Sequence, residues 1–240
     1  MAGHDLPGDG GLDDRVPFLA RLENEDGTAL RALGRELAFA PRDRLIHQHE
    51  PSSHILLVLH GWTKVTAVAP NGYQALLALR GPGDILGESA ALTRRVRSAT
   101  VTALEPVRAV AVDHEAFRAF LADCPAAALQ LLALTSDRTR AADQRRLEFA
   151  SLSVRERLAV LLLDLSRTHG RPGPTGVELS VPLTKEELAG AVGASREMVQ
   201  RELKELRERG VVTTGRRALV IVRPDVLRRI ARATQPPGRG

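Results

Sequence analysis

TKEELAGAVGASREMVQREL, residues 184–203, holds two helix starts one after the other. Thr184-Lys185-Glu186-Glu187 has the form of a capping box, in which a hydroxyl and a carboxylate three residues later each satisfy an orphan backbone donor at the other's position. It opens a helix to about Val192, with Leu188, Ala189 and Val192 on the inward stripe. Gly193 then supplies a tight turn, and Ser195 stands where it can cap a second helix. Met198, Val199 and Leu203 give that helix its apolar stripe, which leaves Arg196, Glu197, Gln200 and Arg201 facing outward.

Helix, glycine turn and second helix is the helix-turn-helix pattern, whose second helix lies in the major groove of DNA with its N-terminal residues at base edges. Arginine bidentate to guanine and glutamate accepting from cytosine suit that position. The next stretch, ERGVVTTGRRALVIV, reads as two strands around the basic turn Gly215-Arg216-Arg217, a wing whose arginines would touch phosphate and set register. The plainer reading is a solvated face, with Glu197 and Arg201 paired at i, i+4 for only about 0.3–0.5 kcal/mol. Order decides against it: capped helix, glycine turn, capped helix and basic hairpin follow one another in the basic third of the chain. Thr184, Ser195, Arg196, Glu197, Gln200, Arg201, Arg216 and Arg217 are therefore the candidate DNA contacts.

That basic third stands out from the rest. The chain has 240 residues and a formal charge of +5, but residues 150–240 carry 17 Lys/Arg against 10 Asp/Glu, and residues 1–149 carry 17 against 19. A basic module of about +7 joined to one of about −2 suits a polyanionic partner. No apolar run approaches the roughly 18 residues of a membrane span, so no membrane partner is expected. The opening MAGHDLPGDGGLDDRV has neither the basic nor the apolar region of a secretory signal, which points to the cytoplasm. Cys124 is the single cysteine, which excludes an intramolecular disulfide and a four-cysteine metal or iron–sulfur site.

Toward the N-terminus the texture changes. Residues 1–16 and the tail ATQPPGRG have a disordered composition. Short helices are expected from Phe18 to about Leu37, and short strands after them: HILLVLHG, WTKVTAVA, the hairpin signal Asn71-Gly72, QALLALRGPGD, and SATVTALEPVRAVAVD. Such spacing without long helices predicts an antiparallel jelly roll over roughly 38–113. From Asp113 the composition turns helical, with Pro125 in a first-turn position of a long helix. Leu129, Leu132, Ser136, Thr139 and Asp143 follow a heptad-like spacing there, a dimer seam that turns polar after Leu134. Ser153-Val154-Arg155-Glu156 is a further capping box, opening a helix at the start of a new domain. THGRPGPTG then reads as a loop and VELSVP as a short strand.

Within the jelly roll, GPGDILGESAALTRRVRSATVTAL (81–104) holds Gly87-Glu88, then eight residues, then Arg97-Ser98-Ala99. Here the chain resembles the Crp/Fnr family of bacterial transcription regulators, whose β-roll cradles a cyclic nucleotide with a G-E…R-S-A cassette. The chemistry agrees with what that resemblance implies: a cyclic phosphodiester is a monoanion, which Arg97 with Ser98 and backbone N–H groups would suit, while Glu88 could accept from a ribose hydroxyl and Gly87 admits a close backbone approach. The likeness runs over roughly 18–222 and includes the TKEELAGAVGASREMVQREL core.

The resemblance implies an α+β chain. Its parts would be an N-terminal jelly-roll β-roll that binds cyclic nucleotide (17–124), a long dimerisation helix (125–150), a C-terminal winged helix-turn-helix (151–232), and disordered ends at 1–16 and 233–240. It implies nucleotide binding at Gly87, Glu88, Arg97, Ser98 and Ala99, a homodimer on double-stranded DNA with TGTGA-like half-sites, contact with RNA polymerase, and no enzyme activity. One departure matters: where the cyclic-AMP branch reads adenine with a Thr-Ser or Thr-Asn pair, an ungapped alignment puts Ala142 and Asp143. Ala142 has no polar side chain, and Asp143 could accept from an exocyclic amine. Cyclic AMP stays ahead of cyclic GMP, with a silent pocket or another small effector as the alternative. A rival, a cupin-like metal site at His47 and His49 with His54 and His60 near, lacks the glutamate such a pattern wants; no metal is expected.

Overall fold

The computed structural model describes residues 11, 12, 14, 16–215 and 219–232. Two compact units divide between Thr139 and Arg140, inside one continuous helix.

The first unit begins with a 3-10 turn, Phe18–Arg21, and helix α1 (Asn24–Ala32). Strands β1 (Arg35–Phe39), β2 (Arg44–Ile46), β3 (His54–His60), β4 (Thr63–Val68), β5 (Gln74–Arg80) and β6 (Ile85–Leu86) follow, then α2 (Glu88–Thr93), β7 (Thr100–Ala103), β8 (Val107–Asp113), α3 (His114–Asp123) and α4 (Pro125–Ser151). The strands form two antiparallel sheets, ordered β1-β8-β3-β6 and β2-β7-β4-β5.

The apolar run HILLVLH makes sense in this arrangement, because β3 is covered on both faces. Leu56 and Val58 meet Leu45, Ile46, Val101 and Val107 between the sheets. Ile55 and Leu57 point the other way, into a second cluster with Phe18, Leu30, Phe117, Leu131 and Leu134. β8 alternates likewise, Val107 and Ala109 inward and Val110 and Val112 toward the helices. The Asn71-Gly72 turn joins β4 to β5, with Gly72 at φ 83°.

α4 starts at Pro125 as the sequence predicts. Its buried stripe is Ala127, Leu131 and Leu134, while Leu129 and Leu132 on another face are 65% and 62% exposed.

The second unit holds the rest of α4, α5 (Val154–His169), β9 (Gly170–Gly173), β10 (Gly176–Leu179), α6 (Lys185–Val192), α7 (Arg196–Glu208), β11 (Val212–Thr214), β12 (Leu219–Ile221) and α8 (Pro224–Arg232). Leu158, Leu162 and Leu165 bury α5, which packs on α6, α7 and α8. The sheet order is β11-β12-β10-β9.

Three expectations need correction. THGRPGPTG is not all loop: Gly170–Gly173 pairs with β10, and Pro172 is tolerated because β9 is an edge strand. His47 and His49 do not share a strand, since β2 ends at Ile46 and His49 has φ 69°. The disorder expected through residue 16 does not extend to Leu12 and Asp14: Leu12 is buried, its carbonyl accepts from the Leu79 amide and from Arg80 Nη1, and Asp14 is ion-paired. Both lean on partners more than 60 residues away, which local composition cannot register. The expectations for residues 1–10, Arg216, Arg217 and 233–240 lie outside the described residues.

Candidate nucleotide pocket and DNA-reading face

β6 delivers the chain to Gly87, which is in the left-handed region at φ 81° and caps α2. The backbone here favours glycine, and a Cβ would stand 2.0 Å from Arg97 Nη1, so any side chain would have to move the tip of that arginine. Arg97 is 4% exposed; its Nη1 donates to the Gly87 carbonyl at 3.2 Å and its Nη2 donates to the His54 carbonyl. Main-chain bonds hold its own backbone in register, Arg97 N to Glu50 O and His49 N to Arg97 O. Burial pulls Arg97 below the usual arginine value and Glu88 opposes that, but a guanidinium remains cationic at neutral pH.

Glu88, the first residue of α2, does not bond Arg97. Its Oε1 accepts from Nη1 of Arg138 on α4 at 2.8 Å, and Oε2 makes no hydrogen bond among the described residues. Ser98 is exposed and Ala99 half-buried at the same rim. The structure thus brings Gly87, Glu88 and Arg97 together around the start of α2, with Ser98 and Ala99 following.

This donor set fits a cyclic phosphodiester. A guanidinium has five N–H donors, and two carbonyls engage only part of them. Ser98 adds a hydroxyl, and Glu88 Oε2 an acceptor for a sugar hydroxyl.

Arg138 was not among the sequence candidates, although a signal existed. Ala127, Leu131, Leu134 and Arg138 are spaced four, three and four apart, so the arginine continues the buried stripe of α4. Behind it lies a charged cluster. Arg138 Nη2 reaches Asp14 Oδ2 at 2.7 Å, Arg80 Nη2 reaches Asp14 Oδ1 at 3.3 Å, and the Gly81 amide donates to Asp84 Oδ2 at 2.7 Å. Burial would raise the Asp14 carboxyl, but Arg80 and Arg138 outweigh it and hold it low. Burial pushes Asp84 up to about 7, with the Asp14 carboxylate adding to the rise. Two guanidiniums thus face three carboxyls, and Asp84, whose Oδ1 has no hydrogen-bond partner among the described residues, is the one that burial drives toward its protonated form.

In the second unit, Thr184 caps α6 with the full capping box: its hydroxyl accepts from the Glu187 amide, and Glu187 accepts from the Thr184 amide. Gly193 closes α6 at φ 62°. Ser195 Oγ accepts from the Met198 amide and starts α7. Arg157 of α5 pins this turn, donating to the Val192 carbonyl at 2.7 Å and stacking 5.4 Å from the Phe149 ring centroid. Val199, Leu203 and Leu206 are buried, so Arg196, Glu197, Gln200 and Arg201 are left exposed on one face at the start of α7. Glu197 and Arg201 do not pair with each other: among the described residues neither arginine of this face has a carboxylate partner. Donors from its own backbone and from Ser195 hold the Glu197 carboxyl below its ordinary value, so it is ionised.

A cyclic nucleotide-binding domain model matches residues 36–124, and a Crp-like helix-turn-helix domain model matches 156–230. The chain is 30% identical over 224 residues to the CRP-like cAMP-activated global transcriptional regulator of Mycobacterium tuberculosis, covering 92% of this chain and 100% of that protein. It belongs to the Crp/Fnr family of transcription regulators. Another relative is the cyclic AMP receptor protein of Thermus thermophilus, 33% identical over 190 residues, which cover 78% of this chain and 83% of that one. The fold agrees with the solved structure of the c-di-GMP responsive global regulator CLP of Xanthomonas campestris, with a TM-score of 0.72, 22% identity, and coverage of 83% and 99%. This Crp/Fnr chain is accordingly a DNA-binding transcription regulator with a cyclic nucleotide-binding domain and a helix-turn-helix domain.

His54 and His60 stand at opposite ends of β3, and His47 hydrogen-bonds Arg44. Among the described residues no group of three or more His, Cys, Asp or Glu could hold a metal ion.

Proposed function

We propose that this protein is a homodimeric, sequence-specific DNA-binding regulator of TGTGA-like palindromes, controlled by a cyclic nucleotide, with cyclic AMP ahead of cyclic GMP. The observation that carries the reading is the uncommitted face of α7. Arg196, Glu197, Gln200 and Arg201 are exposed at its N-terminal end, and the glutamate is ionised. Thr184, Ser195, Arg216 and Arg217 are assigned to phosphate. Two such helices related by a two-fold axis enter successive major grooves about 34 Å apart. Leu129 and Leu132 supply the apolar part of the dimer contact. DNA places the protein in the cytoplasm, with RNA polymerase as a further partner.

Gly87, Glu88, Arg97, Ser98 and Ala99 form the nucleotide pocket, Arg97 and Ser98 holding the phosphate and Glu88 a ribose hydroxyl. A ligand held at Glu88 acts on α4 directly, through Arg138. For it to regulate, it must bind the DNA-competent arrangement more tightly than the incompetent one; equal affinity shifts nothing. Fluorescence anisotropy of a labelled TGTGA-N6-TCACA duplex at fixed salt, with no nucleotide, cyclic AMP or cyclic GMP, tests this. Tighter binding with a nucleotide is expected. Equal binding with and without would make this a constitutive regulator whose pocket serves nothing or another effector.

A further inference from the structure

The cluster behind Glu88 includes a group from the far end of the chain. Arg138 donates Nη1 to Glu88 Oε1, while its Nε and Nη2 bond the Asp14 carboxylate at 2.7–3.3 Å and its Nη2 also reaches the Ile85 carbonyl at 3.1 Å. Asp14 is itself anchored. Arg80 Nη2 pairs with it, and Arg80 Nη1 holds the Leu12 carbonyl at 2.9 Å and the Leu79 carbonyl at 2.8 Å. Leu12 is 3% exposed and its carbonyl also accepts from the Leu79 amide. A short N-terminal strap is thus fastened to the end of β5 and presents one carboxylate to the arginine behind the pocket.

A guanidinium with a single carboxylate neighbour closes a bidentate fork on it. Arg138 is kept from doing so because Asp14 takes the Nε–Nη2 edge and turns the remaining Nη2 hydrogen to the Ile85 carbonyl, which leaves Nη1 for Glu88. Glu88 is thereby held by one oxygen, and Oε2 stays available as an acceptor.

We propose that Asp14 is a positioning residue for the nucleotide pocket: by engaging the Nε–Nη2 edge of Arg138, it holds Glu88 in the single-point pairing that lets its second oxygen read a ribose 2′-hydroxyl. The inference rests on the pocket assignment above and goes beyond it, because it makes ribose recognition depend on Leu12 and Asp14. Asp14 touches no ligand. Its loss changes which sugar is preferred, not whether the phosphate is held by Arg97.

The test compares cyclic AMP with 2′-deoxy cyclic AMP by isothermal titration on the full-length chain. The wild type is expected to prefer the ribose form by about tenfold, the size of one hydrogen bond to a charged group. D14N should bring the two affinities to within about twofold of each other, mainly by weakening the ribose form. D14E, which keeps the carboxylate, should restore part of the preference. A thermal melt accompanies each variant; if D14N does not fold, R80K, which keeps the charge but loosens the hold on Leu12 and Asp14, carries the test with a smaller fall in the ratio. A D14N protein that binds and keeps the full preference overturns this proposal and leaves the pocket standing. A wild type that holds both sugars equally overturns the role of Glu88 and this proposal with it. A wild type that binds neither cyclic AMP nor cyclic GMP overturns the pocket itself.

Discussion

The two charged surfaces of this chain handle their charges in opposite ways. Around α2 the groups are buried and committed: Arg97 to two carbonyls, Glu88 to Arg138, Arg138 to Asp14. At the start of α7 they are exposed, and among the described residues the two arginines have no carboxylate partner. A buried charge costs several kcal/mol unless it is paired and hydrogen-bonded, so the first surface exists only as a preassembled network. A solvated charge costs nothing to leave unpaired, so the second can present free donors to whatever surface it meets. Preorganisation belongs to the small-ligand site, and readiness to the DNA-reading face.

That contrast can be attacked at four points. The largest effect belongs to G87A: its Cβ would displace Arg97 Nη1 and its φ is unfavourable, so nucleotide affinity should fall more than about a hundredfold, as titration calorimetry would read. A fall below tenfold would mean the network is softer than its geometry. E197A tests the exposed side. It should erase discrimination at one base pair of the half-site, about 1–3 kcal/mol in a binding-site selection, while the melting temperature stays within error. Unchanged base preference would return this face to mere solvation.

D84N probes the network through pH. The Asp84 carboxyl is raised from 3.8 to about 7, so the folded chain keeps a proton that the unfolded chain has lost. Its contribution is absent below pH 4, becomes destabilising as pH rises toward 7, and is constant above that. D84N keeps an acceptor for the Gly81 amide and removes this penalty. Denaturant unfolding should show it about 2–3 kcal/mol more favourable relative to wild type at pH 8 than at pH 5. Equal differences at both pH values would deny Asp84 its proton. The smallest effect is R216A, which should weaken all DNA sequences alike and reduce the slope of log affinity against log salt by about 1.

Local chemistry was legible where an element's own residues decide it. The capping boxes at Ser153 and Thr184, the left-handed Gly193, the N-cap Ser195 and the start of α4 at Pro125 are all set by neighbours within a few residues, and all are present. The cassette Gly87-Glu88…Arg97 was legible as a motif, but its wiring was not. Glu88 finds Arg138 fifty residues on, and Arg138 finds Asp14 more than a hundred residues back. Composition marked residues 1–16 as disordered because the contacts of Leu12 and Asp14 do not register in an average dominated by glycine, aspartate and proline. What orders these two residues is Arg80 and Arg138, which bond them from elsewhere in the chain. β9 escaped notice for a similar reason: Pro172 argues against a strand, and only an edge position makes it harmless.

The double-faced burial of β3 also has a consequence during synthesis. HILLVLH contains no acidic residue and no lysine or arginine, and its main partner β8 begins 47 residues after β3 ends. At about 5–20 residues per second, the ribosome leaves that segment without its neighbour for several seconds. A bare apolar strand of seven residues is the kind of template on which other chains pair. The same seven residues that anchor the finished domain are thus the segment a trigger-type chaperone would shield first, and charge introduced there to improve expression would undo the core it later forms.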